Sequence, residues 1–265
     1  MHPKAPDVNG RVLEITPQSA GWKYVGFAVY KLGRGASITR REEGRETCIV
    51  ILSGKANFKS GATSYDNIGE RENLFDGKSP YAVYVPQNTE YTLEATSENM
   101  EIALCTAPGG GEHRVRLIGP DAISMEQRGE GTNTRFVRNI LPETEAAHSL
   151  LIAEVITPGG NWSSYPPHKH DSDNIPQESC LEETYYHRLN PSQGFAFQRV
   201  YTDSRDIDET LSVEDGDVVL VPRGYHPVGA SHGYDLYYLN VMAGPNRVWI
   251  FKNDPAHEWM VSPRE

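Results

Sequence analysis

No stretch of the 265 residues offers the roughly 18–20 consecutive apolar side chains that crossing a bilayer requires. The opening Met1-His2-Pro3-Lys4-Ala5-Pro6-Asp7 lacks the apolar core of a secretion signal, so a cytoplasmic protein with no membrane association is the expectation. Cysteine is scarce: Cys48, Cys105 and Cys180 are odd in number, far apart and without C-x-x-C spacing, which argues against a disulfide framework or a cysteine zinc site. Each reads as a reduced, partly buried small residue. Positive charge is in deficit, 25 Lys and Arg against 36 Asp and Glu, and a net −11 gives phosphate backbones or anionic membranes nothing to attract. Nucleic acid is therefore not an expected partner. Long segments of helical period are missing as well.

What remains is ordinary globular material, with 38% apolar residues and enough length for one large domain or two modest ones. Glycine (24) and proline (18) punctuate short runs rich in Val, Ile, Tyr and Phe, the signature of an all-β chain. Strands are predicted at Tyr24–Leu32, Cys48–Leu52, Ala82–Val85, Tyr91–Ala95, Glu101–Cys105, Leu150–Ile156, Thr184–Arg188, Ala196–Tyr201, Asp217–Val221, Leu236–Val241 and Arg247–Phe251. Short helical turns are predicted only at Leu141–Ala147 and Asp206–Leu211. At this strand density a sandwich or barrel is expected.

The Thr106-Ala107-Pro108-Gly109-Gly110-Gly111 run, followed by a polar stretch to Arg135, marks a seam. It predicts a first lobe at 1–110, a linker at 111–135 and a second lobe at 136–265. A faint internal repeat supports duplication: Tyr84-Val85-Pro86-Gln87-Asn88 parallels Leu220-Val221-Pro222-Arg223-Gly224, each an apolar strand ending in proline and a residue able to take positive φ.

Chemistry concentrates in the second lobe. His168 and His170 in Pro166-Pro167-His168-Lys169-His170-Asp171 stand at i and i+2, so in an extended segment both imidazoles face one side and can reach one ion. Glu182-Glu183 puts a carboxylate at the start of a strand, and Pro222-Arg223-Gly224-Tyr225-His226 puts a third imidazole at a turn. Alternation sends Glu182 and Glu183 to opposite faces, so one of them can be a ligand. Three neutral nitrogens and a carboxylate suit a divalent transition metal with positions left open for substrate oxygens.

The order H-x-H, then Glu before an aromatic strand, then G-x5-P-x-G and His, resembles the cupin fold. The resemblance implies a metal held by His168, His170, Glu183 and His226, with Tyr185 and His187 sharing the inward face of Glu183. Two departures stand out: a dozen residues, Asp171–Glu182, separate His170 from Glu183, and His226 follows Gly224 one residue early. In the first lobe no H-x-H precedes Thr47–Gly54, and Tyr91 stands where a ligand His is expected, so that lobe reads as metal-free.

Further motifs extend the resemblance along the whole chain: Asn190-Pro191-Ser192-Gln193-Gly194-Phe195, Gln198-Arg199-Val200-Tyr201-Thr202-Asp203, Tyr237-Tyr238-Leu239-Asn240-Val241-Met242-Ala243-Gly244-Pro245 and Asp254-Pro255-Ala256-His257-Glu258-Trp259. With the histidine motifs they closely resemble the 5-deoxy-glucuronate isomerase family of myo-inositol catabolism. That family is similar to 4-deoxy-L-threo-5-hexosulose-uronate ketol-isomerase, a bicupin with a His, His, Glu, His zinc site. The resemblance implies two double-stranded β-helix (jelly-roll) barrels and one divalent metal ion, zinc first, with manganese and iron open. It further implies a small sugar-acid substrate isomerised from aldose to ketose, and leaves a homo-oligomer open.

Such chemistry asks for a Lewis acid and a group that moves a proton between neighbouring carbons. Glu182, Tyr185, Tyr225 and Asp235 are the candidates for that group. The substrate carboxylate needs a cation, for which Arg223 is the first choice because arginine can grip a carboxylate with two parallel bonds. Lys169, Gln198 and Arg199 are further candidate contacts, and Arg247 an alternative cation. An Fe(II) dioxygenase and a non-enzymatic sugar-binding cupin are the rival readings of the same ligand set.

Overall fold

A computed structural model describes residues 1–261. The chain divides into two compact units, His2–Ser124 with Asn139–Leu150, and Met125–Arg138 with Leu151 onward, the last four positions of the expected second lobe lying outside the described residues. Met1 falls with the second unit through its bonds to Val218. Both units are jelly rolls, the all-β bicupin architecture expected from sequence.

In the first unit a six-stranded antiparallel sheet runs Arg11–Ile15, Gly26–Leu32, Met100–Pro108, Arg45–Ser53, Ala82–Val85 and Arg116–Ile118. A four-stranded sheet of Ser37–Arg40, Tyr91–Ala95, Ala56–Ser60 and Thr63–Ile68 faces it. Alternating residues such as Ile49, Ile51, Phe58, Leu93 and Ile102 fill the space between. Tyr91, one of the largest fully buried side chains, stacks on Phe58 at 6.0 Å between ring centres and serves this core.

The second unit repeats the plan. Its six-stranded sheet runs Met125–Arg128, Arg135–Leu141, Leu151–Thr157, Asp235–Ala243, Glu182–Asn190 and Val218–Val221. The opposing sheet is Trp162–Ser163, Val228–Ala230, Ala196–Tyr201 and Asp208–Val213.

The internal repeat has a register. Thr47 pairs with Val85 in the first unit and Glu183 with Val221 in the second. Asn88 and Gly224, each three residues beyond the paired valine, take φ of 60° and 92°. By that register Thr47 occupies the position of Glu183 and Glu90 that of His226. Glu46, at the place of Glu182, is fully buried and accepts from the Tyr84 hydroxyl and from the backbone N–H groups of His148, Ser149 and Leu150. In the first unit the carboxylate therefore fastens a chain segment.

Four local expectations fail. The stretch 111–135 is not a free linker: Arg116–Ile118 pairs with the first unit's sheet, while Met125–Arg128 pairs with Arg135–Arg138 in the second. Leu141–Ala147 holds no helix and ends in turns. Asp206–Leu211 is overridden by pairing, since Asp208–Val213 docks along Ala196–Tyr201 as a charged edge strand. Arg247–Phe251 joins no ladder, and only Lys252–Asn253 pairs, with His168–Lys169.

Candidate metal centre

The second unit brings His170, Glu183 and His226 together, all three buried and each offering a ligand atom within 4.8 Å of the others. The long gap between His170 and Glu183 is absorbed by a hairpin. Asp171–Asn174 pairs with Glu178–Cys180, and the Leu181 N–H donates to the His170 carbonyl at 2.8 Å, so the chain returns to its starting point two residues before Glu183. The Glu178 carboxylate holds the hairpin by accepting from the Asp171 and Ser172 N–H groups at 2.8 and 3.2 Å. His226 is set by the turn before it. Gly224 stands at φ 92°, where a Cβ would meet the Tyr201 carbonyl oxygen at 2.5 Å, and its N–H donates to Asp171 at 2.9 Å.

The atoms themselves point to a cation. Nδ1 of His170 lies 3.2 Å from the Leu181 carbonyl oxygen and Nδ1 of His226 lies 2.8 Å from that of Gly224. A carbonyl can only accept, so both Nδ1 atoms carry a proton and both Nε2 atoms turn inward. There they face Glu183 Oε2 at 3.1 and 3.2 Å. Nε2 of His226 is buried without a hydrogen-bond partner. Two imidazole Nε2 atoms converging on one carboxylate oxygen, one of them without a hydrogen-bond partner, form an arrangement that a divalent cation satisfies directly. Burial holds His226 neutral, its pKa pulled down to about 3.

His168 is not part of that three-residue cluster. Its ring centre lies 5.0 Å from that of His226 and 6.4 Å from that of His170, and it packs against Phe251 at 4.6 Å. It is the histidine of the set that lines the adjoining cleft, a cavity of about 850 Å³ bounded also by Arg128, Arg135, Tyr165, Trp249 and Phe251. Burial and the neighbouring His170 lower its pKa to about 3, leaving a neutral imidazole.

Around the cluster the sheet supplies support that motif reading missed. Asn240, opposite Tyr185 in the register, donates from Nδ2 to Glu183 Oε1 at 2.5 Å, which fixes the carboxylate so that Oε2 meets the imidazoles. Tyr185 lies inward as expected, its ring 5.7 Å from that of His226 and its hydroxyl 2.8 Å from Ser164 Oγ. Burial lifts the Tyr185 pKa well above its ordinary value, so the phenol stays protonated. His187 also faces inward, with Nε2 2.9 Å from Gln198 Oε1, and Gln198 donates in turn to the His226 carbonyl at 3.3 Å. Gln198 is fully buried and braces two histidines rather than facing open space.

Other sequence candidates are placed elsewhere. Glu182 lies on the face opposite Glu183, as strand alternation requires. Tyr225 packs its ring at a tilt against Tyr201, 5.0 Å between ring centres, and donates its hydroxyl to Asp203 at 2.8 Å. Asp235 pairs with Asn190, seven residues along the strand from Glu183 and hence roughly 23 Å away at the usual rise, where it accepts from the Gly159 N–H.

The expected cations are occupied. Arg223 is exposed and paired with Asp206, Arg199 holds Asp208 through two bonds of 2.8 Å, and Lys169 reaches Asp171 and Asp203 at 2.8 and 3.0 Å. Each acidic partner is a short loop or neighbouring-strand contact that residue spacing alone does not reveal.

With this geometry in place, comparison with known proteins is specific. The pattern of the KduI/IolB family matches residues 1–260. A 5-deoxy-glucuronate isomerase of Geobacillus kaustophilus is 54% identical over 260 residues, covering 98% of this chain and 94% of that protein. The protein of the same name from Bacillus subtilis strain 168 is 49% identical, with 94% and 92% covered. Among solved structures, an IolB-like protein of Salmonella typhimurium LT2 matches with a TM-score of 0.94 at 50% identity, covering 96% of each chain. An oxalate decarboxylase of Bacillus subtilis matches with a TM-score of 0.64 at 14% identity, over 96% of this chain and 78% of that one, a likeness of fold. No helix among the described residues is long and apolar enough to cross a membrane.

Proposed function

This chain belongs to the KduI/IolB family, and on that premise we propose that it is an intramolecular aldose–ketose isomerase converting 5-deoxy-D-glucuronate to 2-deoxy-5-keto-D-gluconate. The observation that carries the reading is the 54% identity to a 5-deoxy-glucuronate isomerase over nearly the full length of both chains. The converging donors of His170, Glu183 and His226, next to His168 that lines a cleft of about 850 Å³, support it chemically. His168, at the cleft side of the cluster, is the fourth ligand in this reading. His168, His170, Glu183 and His226 would hold the divalent cation, which when bound would supply Lewis-acid polarisation of a carbonyl and stabilise negative charge on neighbouring oxygens.

The protein's own groups do the rest. Asn240 fixes Glu183, and the two Nδ1–H contacts fix the imidazoles, so the donor set is rigid before substrate arrives. Of the four residues considered for proton movement, Tyr185 alone shares the inward face with Glu183 and lies beside His226. As a protonated phenol bonded to Ser164 it serves as a hydrogen-bond donor toward a substrate oxygen. Hydrogen moves from the carbon bearing the hydroxyl to the former aldehyde carbon, with no net redox change.

The test is direct. Purified protein, loaded with divalent metal and incubated with 5-deoxy-D-glucuronate, should yield the 5-keto acid by NMR without consuming oxygen. Oxygen uptake without isomerisation would favour the iron dioxygenase reading. Binding without turnover would favour a sugar-binding protein.

A further inference from the structure

We propose that Arg135 is the residue that receives the substrate's carboxylate and so selects a sugar acid over a neutral sugar. This rests on the isomerase reading above and specifies how that site chooses its substrate. The need is chemical: a chain of net charge −11 that binds an anion must present a cation locally. Arg223, Arg199 and Lys169 are each neutralised by aspartates.

Arg135 differs from all three. It is half-buried at the start of the Arg135–Leu141 strand and lines the same cleft as His168. Its Nη1 donates to the Asn133 carbonyl at 3.1 Å, and no carboxylate among the described residues pairs with it. A partly desolvated guanidinium with five donors and one neutral acceptor is costly unless an anion completes it. Arg128, also in the cleft, is already held by Glu126 and lies over the Trp249 ring at 5.5 Å. Glu130, the carboxylate on the cleft lining, is exposed.

The local backbone is shaped to hold this side chain. Gly129 sits at φ 73°, and a Cβ there would fall 2.2 Å from the Asn133 carbonyl oxygen and 2.8 Å from Arg135 Nη1. The turn Gly129–Asn133 therefore seats the guanidinium with a carbonyl on one side and the cleft on the other. The guanidinium lies close enough for its charge to act on the buried Tyr185 and Tyr238 and on His168 beside the metal cluster. An extended sugar acid with its aldehyde end at the cluster can therefore place its far carboxylate toward Arg135, where two parallel N–H bonds are available.

The experiment compares 5-deoxy-D-glucuronate with 5-deoxy-D-glucose, in which a hydroxymethyl group replaces the carboxylate. Dissociation constants for both are measured by calorimetry on metal-loaded wild type, Arg135→Gln and Arg135→Lys, with turnover of the acid in parallel. Arg135→Gln should weaken acid binding by about 10- to 100-fold and raise KM correspondingly, while the neutral sugar binds within about twofold of wild type. Arg135→Lys should fall between, because a point charge replaces a planar fork. An Arg135→Gln protein that still prefers the acid, or one that loses both ligands equally at unchanged melting temperature, overturns the proposal. Should Arg135→Gln not fold, the acid-to-neutral ratio in Arg135→Lys decides, and an unchanged ratio overturns it. Wild type that neither binds nor converts the acid refutes the isomerase reading itself, a distinct outcome.

Discussion

Replacing Asn240 by leucine probes the support of the metal cluster with the same number and branching of side-chain heavy atoms. Asn240 and Glu183 are both buried, and the 2.5 Å bond from Nδ2 is the contact that holds Oε1 while Oε2 faces the two imidazoles. Leucine leaves a buried, charged acceptor unpaired, which costs about 2–3 kcal/mol. At a few degrees per kcal/mol for a chain of this size, the metal-free variant should melt roughly 5–10 °C below wild type. Loss of such an orienting partner typically weakens metal binding about 10- to 100-fold. Competition against a chromophoric chelator reads that change, with calorimetric melts of metal-free and metal-loaded protein beside it. Metal affinity within twofold of wild type would refute the claim that Asn240 aims Glu183, whatever happened to the melting temperature.

Three further outcomes are expected. His226→Ala should remove most metal affinity and activity, whereas Tyr91→Ala should leave metal binding intact and cost about 3–5 kcal/mol of stability by emptying a core site of the first unit; retained metal and turnover in His226→Ala would contradict the ligand assignment. Burial holds His187 at a pKa of about 4, against about 6.5 when exposed. The unfolded chain binds the extra proton between those values, so up to about 3 kcal/mol present above pH 6.5 is lost as pH falls towards 4. His168 and His226, also held neutral by burial, add to the same slope; urea melts in chelator should therefore show a shallower slope in His187→Gln than in wild type, and an unchanged slope would contradict the assignment. Turnover in deuterated water should place deuterium on the product's new hydroxymethyl carbon if a protein group carries the proton, while an unlabelled product points to a direct hydride shift.

The legibility of this protein in its sequence follows physical lines. Short runs rich in aromatic and β-branched residues such as Glu182–Asn190 and Leu151–Thr157 are strands, because a sheet buried on both faces demands that composition. Tyr185 and His187 follow from Glu183 by alternation alone. Asp208–Val213 does not, since an exposed edge strand carries charges that mimic a polar helical turn and is fixed by its partner. The gap between His170 and Glu183 departs from the cupin spacing because an inserted hairpin leaves and returns to the same spot, and only the Leu181 to His170 bond makes that return visible. The cations failed for a related reason. Whether an arginine is available depends on which acid lies beside it in space, so Arg223 was attractive by position while Arg135 stood unnoticed in a polar seam.

Metal content joined to activity bears most directly on the central claim, a single metal-dependent isomerase site in the second barrel. Protein purified without chelator should carry one equivalent of divalent metal per chain. Stripping it should abolish conversion of 5-deoxy-D-glucuronate, restoring it should recover conversion, and Glu183→Gln should lose both together. Two equivalents bound at similar sites, or full turnover after complete removal of metal, would contradict the account.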